Sequence, residues 1–406
     1  MKIAMVSEHA SPLAVIGGVD AGGQNIHVAA LASTLVRRGH DVTVFTRRDA
    51  LDLPERVTTL DGYVVEHVPA GPPTEVPKDE LLPHMKEFAA HLSRRWSAEP
   101  FDVAHAHFWM SGLAATEAAG LAKVPVVQTF HALGTVKRRH QGSKDTSPPD
   151  RIACEERLCA DVDHVIATCS DEVEELAAMG LSREKVSVVP CGVDLSRFRP
   201  NHTSPALFAP PRLLAVGRLV ERKGLSDVVE ALVDLPGVEL VVAGGPPAEA
   251  LMADPEANRV TDQARANGTA DRVRFIGCVD QQHMPDLYAT ADLVVAVPWY
   301  EPFGIVPVEA MACARPVVGS AVGGLLDTVV PGETGELVPP RDPARLAAVV
   351  RDLLGDRARR ETYGRAGVER VRSRYGWDTV AGQTEDVYTA VARAASAHPA
   401  ASHHAR

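Results

Sequence analysis

The sequence predicts an α/β protein of two Rossmann-like domains, each a parallel sheet between helices, facing each other across a central cleft. Three observations predict it. Short apolar runs alternate with helical stretches over almost the whole chain, the rhythm of right-handed strand–helix–strand crossovers. That rhythm breaks at SRFRPNHTSPALFAPPR, residues 196–212, where prolines replace periodicity, and then resumes. The halves also share a local grammar, since LAKVPVVQTF and ACARPVVGSA both run from a helix end through a proline into a short buried strand.

Element by element, KIAMVSE reads as the first buried strand, followed by a glycine-rich loop and a helix from about Gln24. RRGHD closes that helix, with arginines at its negative end and Gly39 suited to the left-handed cap. DVTVFTR, DVAHAHF, PVVQTF, HVIATC and KVSVVP are the further strands of the first half. RLLAVG, VELVVAGG, RVRFIG, ADLVVAV and RPVVGSA are those of the second. The expected division is 1–200 for an N-terminal acceptor domain and 201–376 for a C-terminal donor domain. An amphipathic helix over 377–395 crosses back to the first domain, and 396–406 is a frayed tail.

Bulk properties narrow the function. The 406 residues carry a net charge of −11, which argues against nucleic acid or an anionic membrane as partner, so any anion site must be built locally. No apolar run approaches a membrane span, and the first residues read as a strand rather than a signal peptide. The six cysteines form no CxxC pair and no metal-like spacing with histidine, which fits reduced thiols in a cytoplasmic protein.

Four segments could carry chemistry. VDAGGQN, residues 19–25, lies between the first strand and helix, where the backbone of Gly22 and Gly23 can approach a ligand and a helix N-terminus favours an anion. Gly17 and Gly22 have Walker-like spacing, but Gln24 and Asn25 stand where that loop needs Lys and Ser or Thr; a plain tight turn fits equally. In GRLVERKG, Arg218 and Lys223 flank a loop leading into a helix and can neutralise a diphosphate, one as a fork and one as a point charge. FIGCV ends another strand, where backbone groups can bind a nucleobase; a strand running into a plain turn fits at least as well. In EPFGIVPVE, Pro302 keeps the start irregular and Gly304 opens a helix with free N–H groups. Glu301 therefore precedes the helix and Glu309 lies at least a turn inside it, so the two acids are spaced along a ligand rather than paired on one atom. Each can accept hydrogen bonds from vicinal hydroxyls.

The first half adds His131, locally a structural histidine, and Arg151, a cation misplaced at a helix start unless an anion is near. Asp161 and Asp163 imitate a metal-binding DxD but sit at the wrong sheet edge and read as structural.

With DAGGQN, FHALGTVK, PCGVD, GRLVERKG and above all EPFGIVPVEAMA assembled, the chain resembles the retaining glycosyltransferases of family GT4, with the GT-B fold. Within that family it resembles the sucrose-phosphate synthase and mycothiol-pathway branches. The resemblance implies a nucleotide-diphosphate sugar donor, UDP before GDP, with no metal and no other cofactor. It implies that Glu301 holds sugar hydroxyls and Glu309 the ribose, that Phe303, Gly304, Ile305 and Val306 offer backbone to sugar and phosphates, and that Arg218 and Lys223 bind the diphosphate. Gly22 and Gly23 would complete that cradle, Val279 would meet the base, and His131 would contact the sugar near the anomeric centre. Lys78, Lys137 and Arg151 match positions that bind a phosphorylated acceptor in those branches, and Asn25 matches an acceptor contact. Phe108 and Ala132 replace a tyrosine and a threonine that touch inositol phosphate in the mycothiol branch, which speaks against that acceptor. A specialised-metabolite transferase with a neutral acceptor, a nucleotide-sugar epimerase on the same fold and a non-catalytic sensor are the rival functions. A small-molecule acceptor is the expected partner, with a homodimer left open.

Overall fold

The computed structural model describes residues 1–14, 22–201 and 210–397, and the chain divides into two compact units. Gly17, Asp20, residues 202–209 of the 196–212 linker and nearly all of the 396–406 tail lie outside the described residues.

The first unit comprises Met1–Pro190 and the chain from Trp377 onward. Its sheet is built from β1 (Lys2–Val6), β2 (Asp41–Arg47), β3 (Arg56–Thr58), β4 (Val64–Val68), β5 (Val103–His107), β6 (Val126–Thr129), β7 (His164–Ala167) and β8 (Val186–Val188). The order is β3-β4-β2-β1-β5-β6-β7-β8, parallel throughout except for β3, which pairs antiparallel with β4. Because the chain runs outward from β1 in one direction and then restarts at β5 in the other, the order reverses between β1 and β5. Outside the carboxyl ends of such a pair lies the crevice where open α/β sheets bind ligands.

The second unit, Cys191–Gly376, holds β9 (Arg212–Val216), β10 (Glu239–Ala243), β11 (Val273–Gly277), β12 (Leu293–Ala296), β13 (Val317–Ser320) and β14 (Gly335–Val338). Its parallel order is β11-β10-β9-β12-β13-β14, reversing between β9 and β12. The division falls at Pro190 rather than at residue 200. Val193 bridges to Gly376, and Phe198 is buried in a second-unit core with Tyr288 and Val308, so the residues before the proline-rich stretch already belong to the second unit.

Each sheet is covered on both faces. In the first unit one face packs Phe45, Phe88, Trp96 and Trp109, and the other packs Ile3, Leu31, Val44 and Tyr388. Tyr388 comes from the last helix, Trp377–Ala397, which lies against the Gly23–Arg37 helix and adds Arg38 Nη2–Glu385 Oε2 at 2.7 Å. Each fully buried side chain of this size contributes about 1.5–3 kcal/mol by leaving water. Asp163 accepts from Val126 N at 2.7 Å at the amino edge of the sheet, a register clamp away from the switch point. Among the described residues no helix is long and apolar enough to cross a membrane.

Candidate functional site

At the second unit's switch point the backbone after β9, Gly217 and Arg218, and that after β12, Val297 and Pro298, border a recess. Its rim also takes in Lys223 and Glu301. The helix Ile305–Ala312 opens onto it through Ile305, Val306 and Pro307, with no acidic residue in its first turn. Gly304 supplies the entry angle. Its φ of +88° is left-handed, which strains any residue with a Cβ, and an added Cβ would also push on the Leu325 methyl 2.6 Å away.

Glu301 is the electrostatic centre of the recess. Lys223 Nζ bonds its Oε2, and Arg222 Nη1 stands 3.7 Å from the same oxygen. Burial alone would raise this carboxyl, but Lys223, Arg222 and Arg218 together hold it below the usual carboxylate range. The next segments are tightly fitted: Gly324 N donates to Glu301 O at 3.0 Å, and Gly323 and Gly324 pack so closely on residues 301–303 that no side chain fits there. Phe303 is itself buried, stacking edge-on with Tyr375.

Glu309 differs. It is 7 % exposed, and Oε2 accepts from the hydroxyl of fully buried Tyr288 at 2.8 Å. Burial raises its carboxyl to about 7, against the opposing pull of that hydrogen bond and of Arg197. Val279 is partly buried just beyond β11 and packs on the same core.

The first unit's switch point collects a different chemistry. Gly22 and Gly23 are exposed at the head of the Gly23–Arg37 helix. Gly22 has an extended φ of −149°, which any residue adopts, and among the described residues a Cβ at Gly22 or Gly23 meets nothing within 4 Å. Asn25 is buried, with Oδ1 accepting from Gly22 N and Nδ2 donating to Ser11 O, both at 3.0 Å. Its amide therefore shapes the loop.

His131 follows β6 with a left-handed φ of +60°. Its Nε2 lies 2.9 Å from His107 Nδ1, the rings stack, and His27 meets both. His105 continues the cluster, with ring centroids 4.1 Å from His107. Thr129 gives its hydroxyl proton to Ile166 O, so it must accept from His105 Nε2–H, which leaves His105 Nδ1 to accept from Tyr388. Burial pushes all four histidines down, His27 to about 4 and His105 to about 3.

Lys78, Lys137 and Arg151 converge. Lys78 Nζ lies 5.6 Å and Arg151 Cζ 5.1 Å from the ring centre of Phe108, attractive cation–π placements. Phe108 is held at φ +83°, ψ +155°, a conformation costly to a bulky residue, by Phe108 N→Thr129 O and by Gln128 Nε2→Phe108 O. Ser147 Oγ joins Lys137 Nζ at 2.9 Å and Arg151 Nη1 at 3.2 Å. Asp145 sits 3.0 Å from Lys137. The misplaced cation at the Arg151–Asp161 helix has an internal answer, because Arg151 Nε donates to buried Glu155 Oε1 at 2.7 Å while Nη2 donates to Ala132 O.

Sequence reasoning missed Arg222, Tyr288, Glu155, the histidine companions of His131, and Gly323–Gly324. The glycine pair just beyond β13 and the i, i+4 spacing of Glu155 from Arg151 were readable signals; the others depend on through-space neighbours that spacing does not encode.

Residues 21–197 match the family described as Glycosyltransferase Family 4, and residues 204–370 that described as Glycosyl transferases group 1. The chain is 40 % identical over 403 residues to D-inositol 3-phosphate glycosyltransferase 1 of Catenulispora acidiphila, covering 95 % of each chain. It is 38 % identical to the D-inositol 3-phosphate glycosyltransferase of Xylanimonas cellulosilytica, covering 95 % of this chain and 96 % of that one. Among solved structures, sucrose-phosphate synthase of Thermosynechococcus elongatus aligns with a TM-score of 0.87 at 32 % identity, over 97 % of this chain and 99 % of its own. Likeness of that order over both units admits one assignment: the chain belongs to glycosyltransferase family 4 and is a glycosyltransferase of the GT-B fold.

Proposed function

We propose that this glycosyltransferase moves a sugar from a nucleotide-diphosphate donor, UDP-linked before GDP-linked, to a small phosphorylated acceptor, with retention of anomeric configuration. The observation that carries the donor reading is the Lys223–Glu301–Arg222 cluster at the β9/β12 switch point, beside a helix start without acids. Arg218 and Lys223 bind the diphosphate, and the first N–H groups of the Ile305–Ala312 helix share its charge. Glu301 holds sugar hydroxyls and is kept ionised for that task by the cations around it. Glu309 holds the ribose, and Val279 the base. Gly22 and Gly23 fit the cradle role because they are exposed at a helix start and, among the described residues, nothing crowds a side chain there.

Chemically, the leaving diphosphate takes the acceptor's proton as the new glycosidic bond forms on the face it vacates, so no protein nucleophile is invoked. The protein positions both substrates and stabilises the charge that develops on the phosphate. The cations do this without a metal. His131 lines the sugar.

The acceptor reading rests on the convergence of Lys78, Lys137 and Arg151 around Phe108 and Ser147. Relatives named for D-inositol 3-phosphate and for sucrose phosphate support a phosphorylated acceptor class. Phe108 and Ala132, which lack hydroxyls, favour a phosphosugar over inositol phosphate. Incubating the purified protein with UDP-, GDP- and ADP-sugars, then screening acceptors with the best donor and reading the product anomer by NMR, tests the proposal. Failure to hydrolyse or transfer from any donor sinks it; turnover without acceptor into an epimer selects the epimerase instead.

A further inference from the structure

The geometry points to Tyr288 as a positioning residue for the donor: its hydroxyl fixes one oxygen of the Glu309 carboxylate and leaves the other for the ribose hydroxyls. This rests on the reading of Glu309 as the ribose-binding acid. Tyr288, in the short helix Met284–Ala289, has no exposed surface, and its phenolic proton goes to Glu309 Oε2 at 2.8 Å. A buried carboxylate costs free energy unless hydrogen bonds satisfy it, and among the described residues no ammonium or guanidinium is bonded to it. The phenol therefore holds the rotamer of the acid and favours its ionised form against the burial that opposes it.

The surroundings make this a sensitive arrangement. From its own helix, Cys313 lies one turn beyond Glu309, its thiol pushed up to about 12 by burial and so neutral at working pH. Arg197 acts from the start of the 196–212 segment, where it is bonded to Gln281 Oε1 at 2.7 Å. Tyr375, at the end of the Arg357–Arg374 helix packed on this one, donates to Asp327 O at 3.2 Å instead. Strands β12 and β13, LVVA and VVGS, bring no ionisable group. Burial holds Tyr288 itself well above 10, so it remains a donor across the range in which Glu309 ionises. Ribose hydroxyls are best held by the ionised acid, so donor affinity should weaken as pH falls through the Glu309 midpoint. Removing the phenol should move that midpoint upward.

The test compares wild type, Tyr288→Phe and Glu309→Gln by calorimetry. The ligands are whichever of UDP, GDP and ADP binds best and its 2′-deoxy analogue, measured from pH 6 to 9. Tyr288→Phe is expected to bind the ribonucleotide about tenfold more weakly near neutrality, the scale of one lost hydrogen bond to a charged group. It should recover toward wild type at the alkaline end, while Glu309→Gln should lose the discrimination against the deoxy analogue at every pH. If Glu309→Gln discriminates like wild type, the ribose reading fails and the inference with it. If Glu309→Gln loses discrimination but Tyr288→Phe matches wild type, or its deficit does not recover at high pH, Tyr288 is a packing residue only and the inference alone is overturned.

Discussion

The ammonium of Lys223 rests on Oε2 of Glu301, so the cation best placed for a diphosphate already neutralises the acid at the head of the Ile305–Ala312 helix. Lys223→Ala should lower kcat by ~10²–10³, the scale of removing one preorganised charge stabiliser. It should also raise the Glu301 carboxyl, since burial would then act against fewer cations. A turnover number unchanged at saturating donor would take Lys223 out of the site.

Activity should survive EDTA. Arg218, Lys223 and the backbone N–H groups carry the diphosphate charge in the proposed mechanism. Loss of turnover on chelation, restored by Mg²⁺ or Mn²⁺, would refute that division of labour.

Lys137 and Arg151 share Ser147, but they are not equally clean probes of the acceptor. Lys137 is partly exposed, and Lys137→Ala should raise the acceptor KM ~10-fold with donor affinity unchanged, the scale of one charge-assisted contact. Arg151→Ala would strand the buried Glu155, a loss of about 3–5 kcal/mol that would blur any kinetic reading. The paired variant Arg151→Met with Glu155→Gln removes both charges together. It should raise the acceptor KM by ~10–100-fold without a matching fall in the unfolding midpoint. A rise in donor rather than acceptor KM would reassign these cations.

The histidine cluster predicts an acid limit. His27, His105, His107 and His131 are held below 6.5 by burial, so unfolding takes up protons between the folded values and 6.5. Stability is therefore full above pH 6.5 and falls as pH drops toward 4, where His27 charges in the folded state. Denaturant midpoints at pH 7.5, 5.5 and 4.5 check this, and His27→Phe should flatten the decline. Equal midpoints at pH 7.5 and 5.5 would show that the imidazoles are not buried as neutral groups.

Strands such as DVTVFTR were legible to the residue, because a run of β-branched and aromatic residues just after a helix-ending glycine leaves little choice of element. The edge strands β3 and β14 were not, since RVT and GELV are short and half-polar, as strands with a single neighbour can be, and neither was the interior β4, whose VVEHV carries two ionisable side chains. The start of the helix at Gly304 and the offset of Glu301 from Glu309 were readable from glycine, proline and spacing. That Glu301 would sit among three cations and Glu309 against a phenol was not, since Arg222 and Tyr288 reach those acids only through the fold. Likewise Arg151 looked electrostatically exposed in sequence, yet its partner Glu155 is one helical turn away on the same face.

The return of the last helix to the first unit has a consequence for the order of folding. The hydrogen bond from Tyr388 to His105 spans 283 residues, and every residue of the second unit is synthesised between its two ends. During translation the second unit can close first, from Cys191 to Gly376, while the first unit waits with an uncovered sheet face for its final helix. A nascent chain stalled before Trp377 would thus present Ile3, Leu31 and Val44 incompletely covered, and truncation at the carboxyl end would injure the half of the protein that was made first.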